Sequence, residues 1–187
     1  MLLIEAGPRV LSTMPPELSE TARRSLADMG VEVLTGSPVT GVGPDGVMLG
    51  DRAVPAATIL WAAGVRASPA AAWLGAKADR AGRVVVAPDL SLPGRPEIFV
   101  IGDTAAAKDG KGRPVPGIAP AAKQMGRFVG RVIAARAAGR TTQAAFAYRH
   151  HGDLATIGRR SAVVELGRVR LTGLIGWWFW GIAHVFY

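Results

Sequence analysis

Apolar residues recur along this chain with two periods, one of strands and one of helices. Leu2-Leu3-Ile4 is a short apolar run closed by Glu5 and then Gly7-Pro8, the pattern of a buried strand ending in a turn. After Pro15-Pro16, Leu18, Ala22, Leu26 and Met29 recur at helical spacing and Gly30 supplies a stop, which predicts a helix over 17–29. Val31 to Leu34 reads as the next strand, and strand, helix, strand in about 35 residues is the parallel crossover unit of a doubly wound sheet. Pro38 to Val42 and Val47 to Leu49 flank Pro44-Asp45-Gly46 and predict an antiparallel hairpin.

Thr58 to Gly64 reads as an apolar strand entering a glycine turn, and the small, polar stretch from Trp73 to Arg83 suits a change of domain. Arg83 to Val86 and Ile98 to Ile101 are predicted strands, the second opening into Gly102-Asp103. A loop rich in Lys, Gly and Pro, Lys108 to Pro116, leads to a long helix. Met125, Phe128, Val129, Val132 and Ile133 form its apolar stripe, with Lys123, Arg127 and Arg131 on another face. Leu154 to Ile157, Ala162 to Leu166 and Val169 to Leu171 predict a small antiparallel meander, with turns at Gly158-Arg159-Arg160 and Gly167. From Leu174 to Tyr187 the chain is apolar all round and carries Trp177, Trp178 and Trp180. That run falls short of the roughly 20 apolar residues of a spanning helix, but its Trp cluster suits a membrane interface.

Composition narrows the classes. With 49% hydrophobic and 19% charged residues among 187, the chain is a folded protein and not a disordered one. Lys and Arg number 22 against 14 acids, a net charge of +8 that suits anionic partners such as lipid headgroups. The basic residues stand singly or in pairs such as Arg23-Arg24 and Arg159-Arg160, without interleaved aromatics, which argues against nucleic acid. The absence of cysteine removes disulfides, thiolate zinc sites and any redox cysteine pair. His150, His151 and His184 lack metal-ligand spacing and read as surface or interface residues. The start has no basic region or cleavage site of a signal peptide, so a cytoplasmic location is expected.

Gly41-Val42-Gly43-Pro44-Asp45-Gly46 matches the letters of a dinucleotide fingerprint. The fingerprint works at a strand-to-helix turn, where a helix N-terminus meets the pyrophosphate, and no helix is predicted here; the string reads as a hairpin turn. Glu5 is an acid at a strand end, which is either an ordinary surface carboxylate or an acceptor for ribose hydroxyls. Ala62-Ala63-Gly64 ends an apolar run in residues without bulk, either a tight turn or a place where a flat ring approaches the backbone. Gly102 and Asp103 follow a strand at the edge where open α/β sheets bind ligands; Asp103 can hold ribityl or ribose hydroxyls, or cap a turn.

Taken in order, Ile4-Glu5-Ala6-Gly7, Trp61-Ala62-Ala63-Gly64-Val65, Phe99-Val100-Ile101-Gly102-Asp103 and Leu154-Ala155-Thr156-Ile157-Gly158 resemble the type II NADH:quinone oxidoreductases of the pyridine-nucleotide-dependent flavoproteins. The resemblance covers essentially the whole chain. It implies an α/β, partial two-dinucleotide-binding, glutathione-reductase-like fold with a small C-terminal antiparallel meander and an apolar membrane-interface helix. Residues 1–75 would be the remnant of an NAD-binding domain, 76–140 the second segment of an FAD-binding domain, and 141–187 the C-terminal strands and membrane-associated segment.

The resemblance also implies site roles. Glu5 would bind the NADH ribose, Ala63 and Gly64 would lie near the nicotinamide, and Gly102 and Asp103 would meet the FAD ribityl-phosphate region. The helix N-terminus at Ala119, Pro120 and Ala121 would face the flavin, where its dipole favours negative charge. Pro120 stands where the family carries the first of two quinone-lining glutamines, and Gln124 fits the second. The implied activity is electron transfer from NADH through FAD to a membrane quinone, with no catalytic acid, base, nucleophile or metal. The implied location is peripheral, on the cytoplasmic face of the membrane, with a homodimer left open. The family's two glycine motifs and the first strand of its NAD unit do not occur in this sequence. The expectation is therefore a C-terminal portion with little intrinsic activity, or a non-catalytic membrane-surface or interaction module, or one half of a split flavoprotein.

Overall fold

The computed structural model describes residues 1–141 and 145–186, so Tyr187, the last residue of the predicted apolar stretch, lies outside the described residues. The chain forms two compact units, Met1–Trp61 with His151–Tyr187, and Ala62–His150. The divisions expected after residues 75 and 140 fall inside the second unit.

In the first unit, β1 (Leu2–Ile4) and β2 (Glu32–Leu34) pair in parallel across α1 (Pro16–Asp28), with Leu3 opposite Val33. The expected crossover is therefore present. Pro16 fits the first helical turn, where its missing N–H costs nothing, and Glu17 lies at the positive end of the helix. Leu18 and Ala22 face inward and pack with Val10, Met14, Ile157 and Val163. The loop before α1 is tied down by Arg9, whose guanidinium donates to the Met14 carbonyl (2.6 Å), the Ser19 hydroxyl (2.6 Å) and the Ser12 carbonyl (2.8 Å). Ser19, 3% exposed, donates its hydroxyl hydrogen bond to the Val10 carbonyl at 2.6 Å, so the buried hydroxyl is satisfied.

The glycine string at 41–46 is a hairpin turn. β3 (Gly41–Gly43) and β4 (Gly46–Leu49) pair antiparallel with Gly43 opposite Gly46, and a third strand that the alternation did not reveal, β5 (Arg52–Pro55), completes the sheet. Gly46 is obligatory there: its φ is +147° and a Cβ would stand 2.1 Å from the Val54 carbonyl oxygen. The strand expected at Thr58–Gly64 does not form. The segment is apolar but has no ladder partner among the described strands, and a strand exists only as one side of a ladder.

β10 (Asp153–Thr156), β11 (Ala162–Leu166) and β12 (Val169–Thr172) form an antiparallel sheet with β11 central, and Ala162, Val163 and Val164 are fully buried. α4 (Gly173–Phe186) packs on β11 at Gly176, where a Cβ would lie 2.8 Å from the Ala162 carbonyl oxygen. Its other side exposes Leu174, Ile175, Trp178, Ile182 and Val185. Among the described residues no helix is long and apolar enough to cross a membrane.

The second unit holds α2 (Ala70–Leu74), β6 (Val84–Val85), β7 (Ser91–Leu92), β8 (Arg95–Phe99), β9 (Ala105–Ala106) and α3 (Ala119–Ala137). β6 and β9 pair in parallel, and β7 and β8 form a hairpin. The strand expected at 98–101 thus lies mostly earlier, at 95–99, and belongs to an antiparallel hairpin whose β7 strand is buried. α3 buries Ala121, Met125, Phe128, Val129 and Val132 against Leu90, Ala107, Val115 and Phe146, with the rings of Phe128 and Phe146 edge to face at 5.6 Å. Ala71, Val84, Leu92, Val100 and Ala105 form a second cluster.

Asp89 fastens the far end of α3. Its carboxylate accepts from the Ser91 hydroxyl (2.6 Å), the Ser91 amide (3.1 Å) and Arg136 (3.0 Å), and Arg136 also donates to the Pro96 carbonyl and lies 5.0 Å over the Phe99 ring. Burial raises this carboxyl, but the Ser91 hydrogen bonds and the Arg136 charge outweigh it and hold it below the ordinary range. A carboxyl lowered in the folded state stabilises above its unfolded pKa and loses that contribution as pH falls through the folded value.

Two predictions follow from this packing. Asp89→Asn should cost about 1–3 kcal/mol at pH 7 in urea denaturation and flatten the loss of stability below about pH 4 seen in the parent; an unchanged acid limb would contradict the role given to Asp89. Gly176→Ala should lower the melting temperature, because its methyl meets backbone, whereas Gly181→Ala on the same helix meets nothing within 4 Å and should raise stability by up to about 1 kcal/mol.

Candidate functional site

The residues singled out at 102–121 converge in the second unit. Ile101 is extended, and Gly102–Thr104 then form a single 3₁₀ turn. Gly102 has φ +68°, its amide donates to Met125 Sδ at 3.1 Å, and a Cβ there would sit 3.5 Å from Ala122 Cβ. Only glycine adopts that backbone without strain, and the absence of a side chain lets the turn lie against the first turns of α3. Gly126 continues the close approach, its Cβ position being 3.9 Å from Ile101 Cδ1.

Asp103 is exposed on this turn. Gly117, just before α3, leaves the space beside the carboxylate open: a Cβ there would be 3.5 Å from Asp103 Oδ1. Ile118 is extended and α3 begins at Ala119 with no side-chain cap. Pro120 has no N–H to satisfy, while the Ala121 and Ala122 amides turn back to the Ile118 carbonyl at 3.0 and 3.1 Å. That leaves the Ala119 N–H without an acceptor among the described residues, at the positive end of a 19-residue helix. One place therefore offers a carboxylate acceptor, an unpaired amide donor and two glycines that admit a ligand close to the backbone. Such a place can bind a polyol and an adjacent electron-rich group.

Ala63 and Gly64 are exposed in the same unit and line an open cleft of about 530 Å³ with Val65, Arg66, Asp79, Arg80, Ala81 and Gly82. Glu5 belongs to the first unit and is half-buried. Its Oε1 accepts from the Gly7 amide at 2.7 Å, and its backbone is held on both sides by Leu34 (2.8 Å) and Ser37 (3.1 Å). Oε2 has no partner among the described residues, so the carboxylate is fixed by one oxygen and presents the other. Gly7 permits this fold-back, since a Cβ would lie 3.1 Å from Oε1.

Gln124 has a structural duty that sequence alone did not reveal. Its Nε2 donates to the Arg149 carbonyl (2.8 Å) and its Oε1 accepts from the Arg149 amide (3.0 Å), clamping a distant segment to α3. Arg9 and Asp79 were also missed: the partners of Arg9 are two carbonyls and the Ser19 hydroxyl, which residue spacing does not reveal. A recurring string could have found Asp79: Asp79-Arg80-Ala81-Gly82-Arg83 and Asp109-Gly110-Lys111-Gly112-Arg113 fold identically, each Asp accepting from amides two and four residues on and from the Arg guanidinium.

Residues 1–126 match the family model described as pyridine nucleotide-disulphide oxidoreductase. The type II NADH:quinone oxidoreductase Ndh of Mycobacterium tuberculosis is 38% identical over 100% of this chain and 42% of its own length, and NdhA of the same organism is 37% identical with the same coverage. The chain thus spans less than half the length of these relatives. Among solved structures, NDH2 of Plasmodium falciparum in complex with NADH superposes with a TM-score of 0.77 at 15% identity, over 98% of this chain and 53% of that one, a likeness of fold. The turn at Gly102, the helix it abuts and the parallel crossover at Glu5 are parts of a shared α/β architecture, and the chain belongs to the pyridine nucleotide-disulphide oxidoreductase family, with type II NADH:quinone oxidoreductases among its relatives.

Proposed function

We propose that this chain serves an FAD-dependent oxidoreductase that passes electrons from NADH through FAD to a membrane quinone. The observation that carries the reading is the Gly102–Asp103 turn set against the first turn of α3, in a chain similar over its whole length to type II NADH:quinone oxidoreductases. Residues 76–140 belong to the FAD-binding segment and 1–75 to the NAD-binding domain, with 141–187 as the C-terminal strands and membrane segment.

The chemistry that a bound FAD would supply is acceptance of a hydride and release of electrons singly or in pairs, which leaves the protein binding, orientation and electrostatics. Asp103 accepts hydrogen bonds from the ribityl hydroxyls, and Gly102 keeps the backbone close. The Ala119 amide and the positive end of α3, around Pro120 and Ala121, favour negative charge beside them. Glu5 Oε2 accepts from the NADH ribose, and Ala63 and Gly64 give a nicotinamide ring room at the backbone. Gln124 faces the quinone. One amide hydrogen and one lone pair remain to it beyond the Arg149 clamp, enough for a single carbonyl or hydroxyl of a headgroup. Pro120 offers no polar group in the place of the family's first glutamine.

Leu174, Ile175, Trp178, Ile182 and Val185, from 51% to 81% exposed, recur along one side of α4 and suit a helix lying in the membrane interface, and the net charge of +8 favours an anionic, cytoplasmic-face surface. A second reading, a membrane-surface or interaction module or one half of a split flavoprotein, is favoured by Leu60 and Val65, which stand 86% and 82% exposed.

Two measurements test the proposal. Chain purified in mild detergent with added FAD should retain flavin, which NADH bleaches slowly at most; Asp103→Asn should weaken FAD and Glu5→Gln should weaken NADH, each about tenfold, the scale of one hydrogen bond to a charged group. Flavin affinity indifferent to Asp103 would contradict the assignment. In co-sedimentation with anionic lipid vesicles, Trp178→Glu and Ile182→Glu should each reduce binding at least tenfold; unchanged sedimentation would remove α4 from the interface.

A further inference from the structure

The cleft beside Gly64 carries an electrostatic imbalance that the proposed function does not use. One wall is the Asp79–Gly82 turn, and its carboxylate is saturated. Asp79 Oδ1 accepts from the Ala81 amide (3.0 Å) and the Arg83 amide (2.9 Å), while Oδ2 accepts from Arg83 Nε at 2.8 Å and pairs with its terminal nitrogen at 2.7 Å. Burial raises the Asp79 carboxyl, but these bonds outweigh it and keep it below the usual range. Its charge is therefore present but cancelled by Arg83, and its oxygens have little left to offer or to repel a ligand. Arg80, exposed on the same turn, has no acidic partner among the described residues.

The facing wall is Ala63–Arg66. Gly64 turns the chain with φ +77°, and nothing lies within 4 Å of where its Cβ would be. The amides of Gly64, Val65 and Arg66 have no acceptor among the described residues, and the Arg66 guanidinium has no partner there either. The two walls are joined at one end: the Ala67 amide reaches the Ala81 carbonyl at 3.4 Å, and the Ala67 methyl is 3.8 Å from the Cβ position of Gly82. Successive unpaired N–H groups at a left-handed glycine form a concavity that favours anions, and two guanidinium groups without counter-ions add the charge that a phosphate matches.

We propose that this cleft binds a phosphate or pyrophosphate group, held by the guanidinium groups of Arg66 and Arg80 and by the backbone N–H groups of Gly64, Val65 and Arg66. The oxyanion can come from a dinucleotide or from free phosphate, and the chemistry of capture is the same. The proposal is independent of the role given to Glu5, which lies in the other unit.

Calorimetric titration of the full chain with inorganic pyrophosphate tests it, together with amide shifts on ¹⁵N-labelled protein. The expected result is saturable binding that weakens with salt, with shifts centred on Gly64, Val65 and Arg66. Arg66→Ala and Arg80→Ala should each weaken binding about tenfold, and Arg66→Lys should retain part of it. Both side chains are exposed, so circular dichroism should report the fold unchanged. Absence of pyrophosphate binding by the parent chain, or affinity in both alanine variants equal to the parent's, would overturn the proposal. Displacement of pyrophosphate by NADH assigns the group to a dinucleotide, and persistence alongside NADH assigns it to free phosphate. Glu5→Gln should leave pyrophosphate affinity unchanged, which separates failure of this site from failure of the NADH reading.

Discussion

Everything proposed for the flavin edge rests on one steric constraint, the approach of the Gly102–Thr104 turn to the first two turns of α3. Gly102, Gly117, Ala119, Ala121, Ala122 and Gly126 are all small, and Gly102, whose φ is +68°, places its Cβ position 3.5 Å from Ala122 Cβ, at van der Waals contact. Met125 seals the contact, 2% exposed in the core and accepting the Gly102 amide on its sulfur. The apolar stripe of α3 holds the helix in place, and the helix in turn fixes where Asp103 and the Ala119 amide stand. The proposed flavin edge is thus a by-product of packing, with Met125, Phe128, Val129 and Val132 on the core side of α3 and glycine and alanine where the turn approaches the helix.

Charge is handled in a repeated way. Asp79 and Asp109 each close a five-residue Asp-to-Arg turn in which the carboxylate satisfies two amides and one guanidinium, and Asp89 takes one amide and one hydroxyl from Ser91 and the distant guanidinium of Arg136. These acids are consumed by local structure, so the excess of basic residues stays uncompensated. Arg66 and Arg80 are two of that excess, gathered at one cleft. Glu5 differs from these three acids in spending one oxygen on its own turn and leaving the other without a partner among the described residues.

The elements that could be read from sequence are those whose signal is local. The 3.6-residue stripes of 18–29 and 125–133, the β1–α1–β2 crossover and the three C-terminal strands each carry their own periodicity, and the hairpin at 41–49 carries its turn residues. The segment 58–64 misled because an apolar, β-branched run specifies a strand only if another strand lies beside it. Residues 95–101 misled by a similar route: Arg95, Pro96 and Glu97 extend a hairpin that the apolar run at 98–101 concealed. At the candidate site, Gly102, Asp103 and the helix start at Ala119 were legible because glycine, acid and helix onset come in a fixed order. The Gln124 clamp on Arg149 and the hold of Arg9 on Ser19 were not, since both depend on where distant backbone arrives.

The central claim is that Gly102, Asp103 and the N-terminus of α3 form one flavin-binding edge. Hydrogen–deuterium exchange of the purified chain with and without FAD tests it most directly. The account predicts that FAD slows exchange in peptides covering 101–106 and 117–124 and leaves the β10–β12 sheet unchanged. Equal exchange in those two segments with saturating FAD, or protection confined to other parts of the chain, would contradict it.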